Sequence, residues 1–191
     1  NTYFVRVYTN TTTGGQNTTF NVCVTTPPVN DLCANAIAVG CNSVTAGTNV
    51  GATTIGAPAT TCTTSQNTGP GVWYTVQGWG GTMVASLCGA TFDTKIGVFT
   101  GSCGSLTCVT GNDDDTGTGG ASVCGGGLQS STSWTGTAGT TYYVYVSGYT
   151  TTSMGTFGAS SLSCRGVARM CSAMTSLDEL AMNGGWPASI M

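Results

Sequence analysis

Histidine is absent from the 191 residues, and only 6% of them are charged. The first absence removes the imidazole base that Ser-His-Asp and Cys-His catalysis require. It also removes zinc sites of mixed cysteine and histidine type, and no two C-x-x-C pairs exist for an all-thiolate site. The second absence argues against nucleic acid, because four Lys+Arg at a net charge of −3 cannot build a phosphate-neutralising patch. An anionic membrane surface fails for the same want of clustered basic residues. No apolar run reaches the roughly 18 residues that a membrane-spanning helix needs. Lys95 is the only lysine, and it stands in no phosphate-binding glycine loop. Glutamate occurs once, at Glu179, so a carboxylate-dependent hydrolase would have to pair Asp93 with one of Asp113–Asp115.

Threonine, serine and 30 glycines fill the polar positions instead, together with ten cysteines. Cysteine at that density without metal spacing points to disulfides, hence to an oxidising compartment and a secreted or cell-surface protein. Eight of the ten fall between residues 30 and 164, an even number that suits four bridges. Cys103–Cys108 is the expected local pair, with Gly104-Ser105 read as a turn between strands, and Cys33–Cys41 is a second candidate.

Thr2-Tyr3-Phe4-Val5-Arg6-Val7 recurs 139 positions later as Thr141-Tyr142-Tyr143-Val144-Tyr145-Val146. Each copy is followed by a Thr-rich stretch, an apolar run at Phe20 or Phe157, and a cysteine, Cys23 or Cys164. A repeat of this kind marks a reused structural unit. The expected organisation is therefore residues 1–26 as the closing hairpin of a preceding repeat, with strands at Tyr3–Tyr8 and Phe20–Val24. Pro27-Pro28 opens a linker over 27–29, and residues 30–164 form one complete domain.

Within that domain, short β-rich runs lie between Gly, Asn, Asp and Ser: Val72–Val76, Met83–Leu87, Lys95–Thr100, Leu106–Val109, Ser131–Thr135 and Tyr142–Val146. Tyr142–Val146 alternates as a strand with one buried face should. Many short strands without helical periodicity predict an all-β fold, an antiparallel, jelly-roll-like and disulfide-stapled β-sandwich. Asn30–Val39 reads as one helical turn or a short strand entering the sandwich, with the strand favoured. The tail, 165–191, differs in composition. Its capping box Ser176-Leu177-Asp178-Glu179 predicts a short helix near 177–183.

One acidic cluster stands out, Asn112-Asp113-Asp114-Asp115-Thr116-Gly117, in a loop expected to follow the strand at 106–110. Adjacent carboxylates repel unless solvated or neutralised, so a hard cation with oxygen ligands is a natural partner. The calcium candidate uses Asn112, Asp113, Asp114 and Asp115, with Asp93 approaching from the neighbouring loop. The same text also suits a turn chosen for backbone geometry and solubility. Asp115-Thr116-Gly117 spells the aspartic-protease triplet, but only one copy exists and that chemistry needs two carboxylates across a cleft. Trp79, between Gly78 and Gly80-Gly81, is expected to be exposed at a turn, where its ring would stack on a sugar; the alternative is ordinary sandwich packing.

Residues 30–164 resemble the bacterial pre-peptidase C-terminal (PPC-like) β-sandwich domains, in the cysteine-rich variety found in tandem in secreted and surface proteins of Bacteroidetes-type bacteria. The resemblance rests on Asn30-Asp31-Leu32-Cys33-Ala34-Asn35-Ala36, Val72-Trp73-Tyr74-Thr75-Val76, Phe92–Cys103, Cys108–Asp114 and Ala138–Val146, with Gly155 and Phe157 on the last strand. It implies a non-catalytic module for adhesion or for carbohydrate or protein binding within a tandem multidomain protein. Many relatives carry an aspartate just before the Trp-Tyr strand, where Gly69-Pro70-Gly71 stands here, so the calcium candidate narrows to the 112–115 loop. The residues themselves offer a second, structural expectation: strands 1–24 would pair with a neighbouring repeat or another copy of the chain by donor-strand addition.

Overall fold

The computed structural model describes residues 4–8, 19, 21–22, 24, 26–64, 66, 68–116 and 120–165, the last eight by backbone alone. Nine strands build two packed sheets, so the all-β expectation holds. The strands are β1 Ile37–Ala38, β2 Ser43–Thr48, β3 Gly71–Gln77, β4 Thr82–Ser86, β5 Thr94–Ser102, β6 Ser105–Asn112, β7 Ser131–Thr135, β8 Thr141–Gly148 and β9 Thr156–Arg165. One sheet runs β1-β3-β8-β5-β6 and the other β2-β9-β4-β7. Every pair is antiparallel except β1 with β3, which is parallel at Ile37↔Tyr74. Asn30–Val39 supplies both of its readings, a 3₁₀ turn at Cys33–Asn35 and then β1.

The six expected runs became strands because β-branched and aromatic residues sit between glycine and polar breaks. β2 was not expected. Its text, Ser-Val-Thr-Ala-Gly-Thr, holds no bulky residue, and the strand exists because β9 supplies a partner from Ser43↔Leu162 to Thr48↔Thr156. Gly47 is required there, since a Cβ would overlap the Phe157 ring and the Tyr74 hydroxyl. Gly47→Ala is expected to cost about 1–3 kcal/mol by overpacking, read as a lower urea midpoint at unchanged m-value. A loss under about 0.5 kcal/mol would show that this edge of the sandwich yields.

Between the sheets lie Val72, Tyr74 and Val76 of β3, Met83 and Ala85 of β4, Ile96 and Val98 of β5, Trp134 of β7, and Tyr142, Val144 and Val146 of β8. A second cluster, Cys62, Trp73, Phe99 and Tyr145, covers the outer face of the five-stranded sheet, with the Trp73 and Tyr145 rings 4.7 Å apart. The segment before β3 lies across it, held by the Cys62–Cys108 disulfide and by Trp73 Nε1, which donates to Gly56 O at 2.7 Å. β3, β5 and β8 are consequently buried on both faces, which corrects the expectation of one buried face and explains their near-continuous apolar text.

The disulfides also depart from expectation. Cys33 pairs with Cys103, Cys62 with Cys108 and Cys88 with Cys124, and Cys41 is disulfide-bonded as well. Neither Cys103–Cys108 nor Cys33–Cys41 forms. The β5–β6 hairpin turns on Cys103-Gly104, with Gly104 at φ +92°, and pairs Ser102 with Ser105. Cys108 falls opposite Phe99, well down the ladder from the turn that carries Cys103. Each cysteine therefore bridges outward, to the 3₁₀ turn or to the covering segment.

Residues 4–8, expected as part of a strand, have no regular secondary structure and are exposed. The remainder of the strands expected at 1–24 lies largely outside the described residues, and the helix expected near 177–183 lies entirely outside them. Among the described residues no helix is long and apolar enough to cross a membrane.

Candidate metal centre

The β5–β6 hairpin sets the site. Its register pairs Ile96 with Asn112, so the residue before β5 and the residues after β6 leave the sheet side by side. Asp93 and Asp113–Asp114 are therefore neighbours across the hairpin's open end. One carboxylate oxygen from each of Asp93, Asp113 and Asp114 lies within 4.8 Å of the others. Two oxygens bound to one calcium ion at about 2.4 Å each can be at most about 4.8 Å apart, so the trio fits a shared hard cation.

Segments flanking β7 and β8 fix the backbone on both sides. Tyr149 N donates to Asp93 O at 3.0 Å, and Thr94 N donates to Leu128 O at 3.0 Å. The Ser130 hydroxyl donates to Asp113 O, while Ser130 N donates to Thr94 Oγ1 at 2.8 Å. This knot joins the β5 start, the acidic loop and the β7 approach, so the carboxylates are held on rigid elements.

All three side chains are half-buried. Asp93 Oδ1 and Asp113 Oδ1 are enclosed and accept no hydrogen bond. Burial, followed by the charges of Asp113 and Asp114, holds the Asp93 carboxyl above its ordinary value, against the opposing pull of Lys95. Burial also raises Asp113, with Lys95 lowering it and Asp114 raising it. Lys95 is itself buried; its Nζ donates to Thr68 Oγ1 at 3.1 Å and lies 4.5 Å from the centre of the Tyr149 ring. The formal charges of three carboxylates and one ammonium sum to −2, the complement of a divalent cation.

The other two candidate ligands turn away. Asp115 is buried among donors: Val123 N and Cys124 N at 2.9 and 2.8 Å, Gly126 N at 3.3 Å, and the Ser131 hydroxyl. Burial alone would raise its carboxyl, yet these four bonds together hold it below the ordinary value. Asp115 thus anchors the 120–128 segment, next to the Cys88–Cys124 bridge. Asn112 is fully buried, and its Oδ1 accepts from Ser131 N at 3.2 Å. Asp115 is thus not among the carboxylates that converge, and the Asn112 side chain is engaged with Ser131 N.

Trp79 is also placed differently. Its ring folds over Gly81 and packs on the inter-sheet core, half-buried with an enclosed indole nitrogen, so it offers no exposed stacking platform. A separate concavity of about 410 Å³ lies between residues 56–60 and the hairpin tip at 104–106. Trp73 lines it but is only 1% exposed, so no ring face is open to a sugar there. Tyr149, by contrast, is 46% exposed beside the acidic trio. Sequence reasoning missed Tyr149 and Lys95; the signal available was a lone lysine two residues after Asp93.

These features define a disulfide-stapled β-sandwich with a cluster of three carboxylates at the open end of the β5–β6 hairpin. No protein-family model, curated protein or solved structure matches the chain.

Proposed function

We propose that this chain is a secreted or cell-surface binding module, non-catalytic, in which Asp93, Asp113 and Asp114 hold a calcium ion. The observation that carries the reading is the convergence of three half-buried carboxylates, two of them with enclosed oxygens that no hydrogen bond satisfies. The disulfides support the extracellular setting, since thiols are kept reduced inside most cells. The ion's role is to brace the loops that meet at Asp93, Asp113 and Ser130. The ligand surface is the exposed Tyr149 ring beside them, suited to stacking on a neutral sugar. Binding of a glycan in calcium, lost with chelator and in Tyr149→Ala, is the expected result of glycan screening. Retention of binding in Tyr149→Ala would move the ligand elsewhere.

Thermal melts test the ion itself. Extracellular calcium modules bind at about 10⁻⁴–10⁻³ M. About 10 mM calcium should then stabilise the fold by roughly 1.4–2.7 kcal/mol, raising the melting temperature by roughly 3–10 °C over chelator. Asp114→Asn should abolish that shift. An unchanged midpoint in calcium rejects the site.

The pH dependence in chelator follows from the raised carboxyls of Asp93 and Asp113. A carboxyl raised by folding is stabilising below its ordinary value of 3.8, and that contribution is lost as pH rises through the raised value. Asp93→Asn should therefore raise the metal-free melting temperature at neutral pH while removing the response to calcium. A lower metal-free melting temperature would contradict this assignment.

A further inference from the structure

Among the described residues, β2 is a six-residue strand at the edge of its sheet. At the β6/β7 side the two sheets approach closely, with the Thr110 and Thr132 hydroxyls hydrogen-bonded at 2.8 Å. The outer edge of β3 is covered: Val39 N donates to Thr75 O at 2.8 Å, Trp73 N to Asn30 O at 2.8 Å, and Gly71 N to Thr53 O at 3.4 Å. β2 ends the four-stranded sheet, and its outer side pairs with no strand among the described residues. Its inward residues are small, and behind Ser43 and Thr45 lies a cavity of about 40 Å³ lined by Val39, Tyr74, Leu87 and Ile96. One water needs roughly 10–15 Å³, so this is room for a few small groups.

The chain also carries a second copy of a strand's sequence, whose described part, residues 4–7, lies in no sheet. Residues 2–7 repeat the β8 residues 141–146, in which Val144 and Val146 are buried between the sheets. Their counterparts Val5 and Val7 are 70% and 52% exposed, with residues 4–8 in no sheet.

We propose that residues 2–8 of one copy add as an edge strand to β2 of a second copy. The open edge is six residues long, Ser43–Thr48, which the repeated segment matches. An added strand would complete the unpaired amides and carbonyls of β2, as in strand addition generally. With side chains alternating, Val5 and Val7 face the gap beside Ser43 and Thr45, and Phe4 and Arg6 face outward. Head-to-tail pairing of this kind builds rings where the rotation between copies closes and open series where it does not. The pairing uses none of the acidic trio and is expected in chelator as well as in calcium.

Light scattering across concentration, with hydrogen exchange on the same samples, tests this. The weight-average mass of the whole chain should rise from the 19.1 kDa of one copy to twice that and beyond. Amides of residues 2–8 and 43–48 should together become at least about tenfold slower to exchange, as buried ladder hydrogen bonds do. Val5→Lys/Val7→Lys, in an exposed segment outside the sandwich, should remain a monomer. Thr45→Lys should also stay monomeric alone, and a mixture of the two variants should stop at a pair. A wild-type chain that stays monomeric at all concentrations overturns the proposal, whether its residues 2–8 are free or protected on its own β2. Oligomers that persist in Val5→Lys/Val7→Lys, or that leave residues 43–48 unprotected, overturn it equally.

Discussion

Reduction of Cys33–Cys103, Cys62–Cys108 and Cys88–Cys124 is expected to unfold the sandwich without denaturant. The bridges close loops with sequence separations of 70, 46 and 36 residues. Each taken alone restrains the unfolded chain by about 4 kcal/mol in the loop-closure account. A domain of this size has roughly 5–15 kcal/mol of stability in all, so losing the three together exceeds or exhausts it even though their loops overlap. Cys62–Cys108 carries a further consequence, because it pins the segment over Trp73, Phe99 and Tyr145. Its loss should redden tryptophan emission as Trp73 meets water. The measurement is near-ultraviolet circular dichroism after reduction, with thiols titrated to prove that the bridges are open. A native spectrum with every thiol free would mean that the core alone holds the fold.

Asp115→Ala is expected to be the most damaging single substitution of the acidic cluster, at about 2–4 kcal/mol, since it strands the buried Ser131 hydroxyl and three part-buried amides at once. Val123, Cys124 and Gly126 would lose the acceptor for their amides, and Ser131 the acceptor for its hydroxyl. For a domain of this length the melting temperature should fall by roughly 10 °C. The wild-type carboxyl is held below its ordinary value of 3.8, so its contribution is present above that pH and fades as pH falls through the lowered value. The variant should therefore lose stability at neutral pH and show a shallower further loss on acidification. Asp114→Asn, whose carboxylate lies in the half-buried trio, should by contrast leave the metal-free fold close to wild type. A fall of less than about 1 kcal/mol in Asp115→Ala would show that water replaces the carboxylate without penalty.

The contrast between these two aspartates shows how far the text could be read. Asp113-Asp114-Asp115 is one homogeneous string, and nothing in it says that Asp115 turns inward while its neighbours converge on Asp93. The approach of Asp93 was legible, because a hairpin with its turn near Gly104 must bring together the residues before β5 and after β6. The strands at Val72–Val76 and Ser131–Thr135 were legible for a similar local reason: β-branched and aromatic residues bounded by breakers. β2 was not, since a strand of Ser, Val, Thr, Ala and Gly exists only by virtue of its partner.

By itself the sequence determined that this protein is all-β, that its cysteines form disulfides, and that an acidic loop sits at the end of a hairpin. These properties follow from composition and from contacts between near neighbours in the chain. The tertiary structure alone decided that Cys103 reaches Cys33 rather than Cys108, that Trp79 lies back on the core, and that three of the four candidate carboxylates converge while Asp115 turns inward. Each depends on which distant segment covers a given face: the stretch across Trp73, the 120–128 segment around Asp115, the glycine beneath Trp79. A side-chain period of two says that a strand has two faces, and only long-range packing says what lies against each.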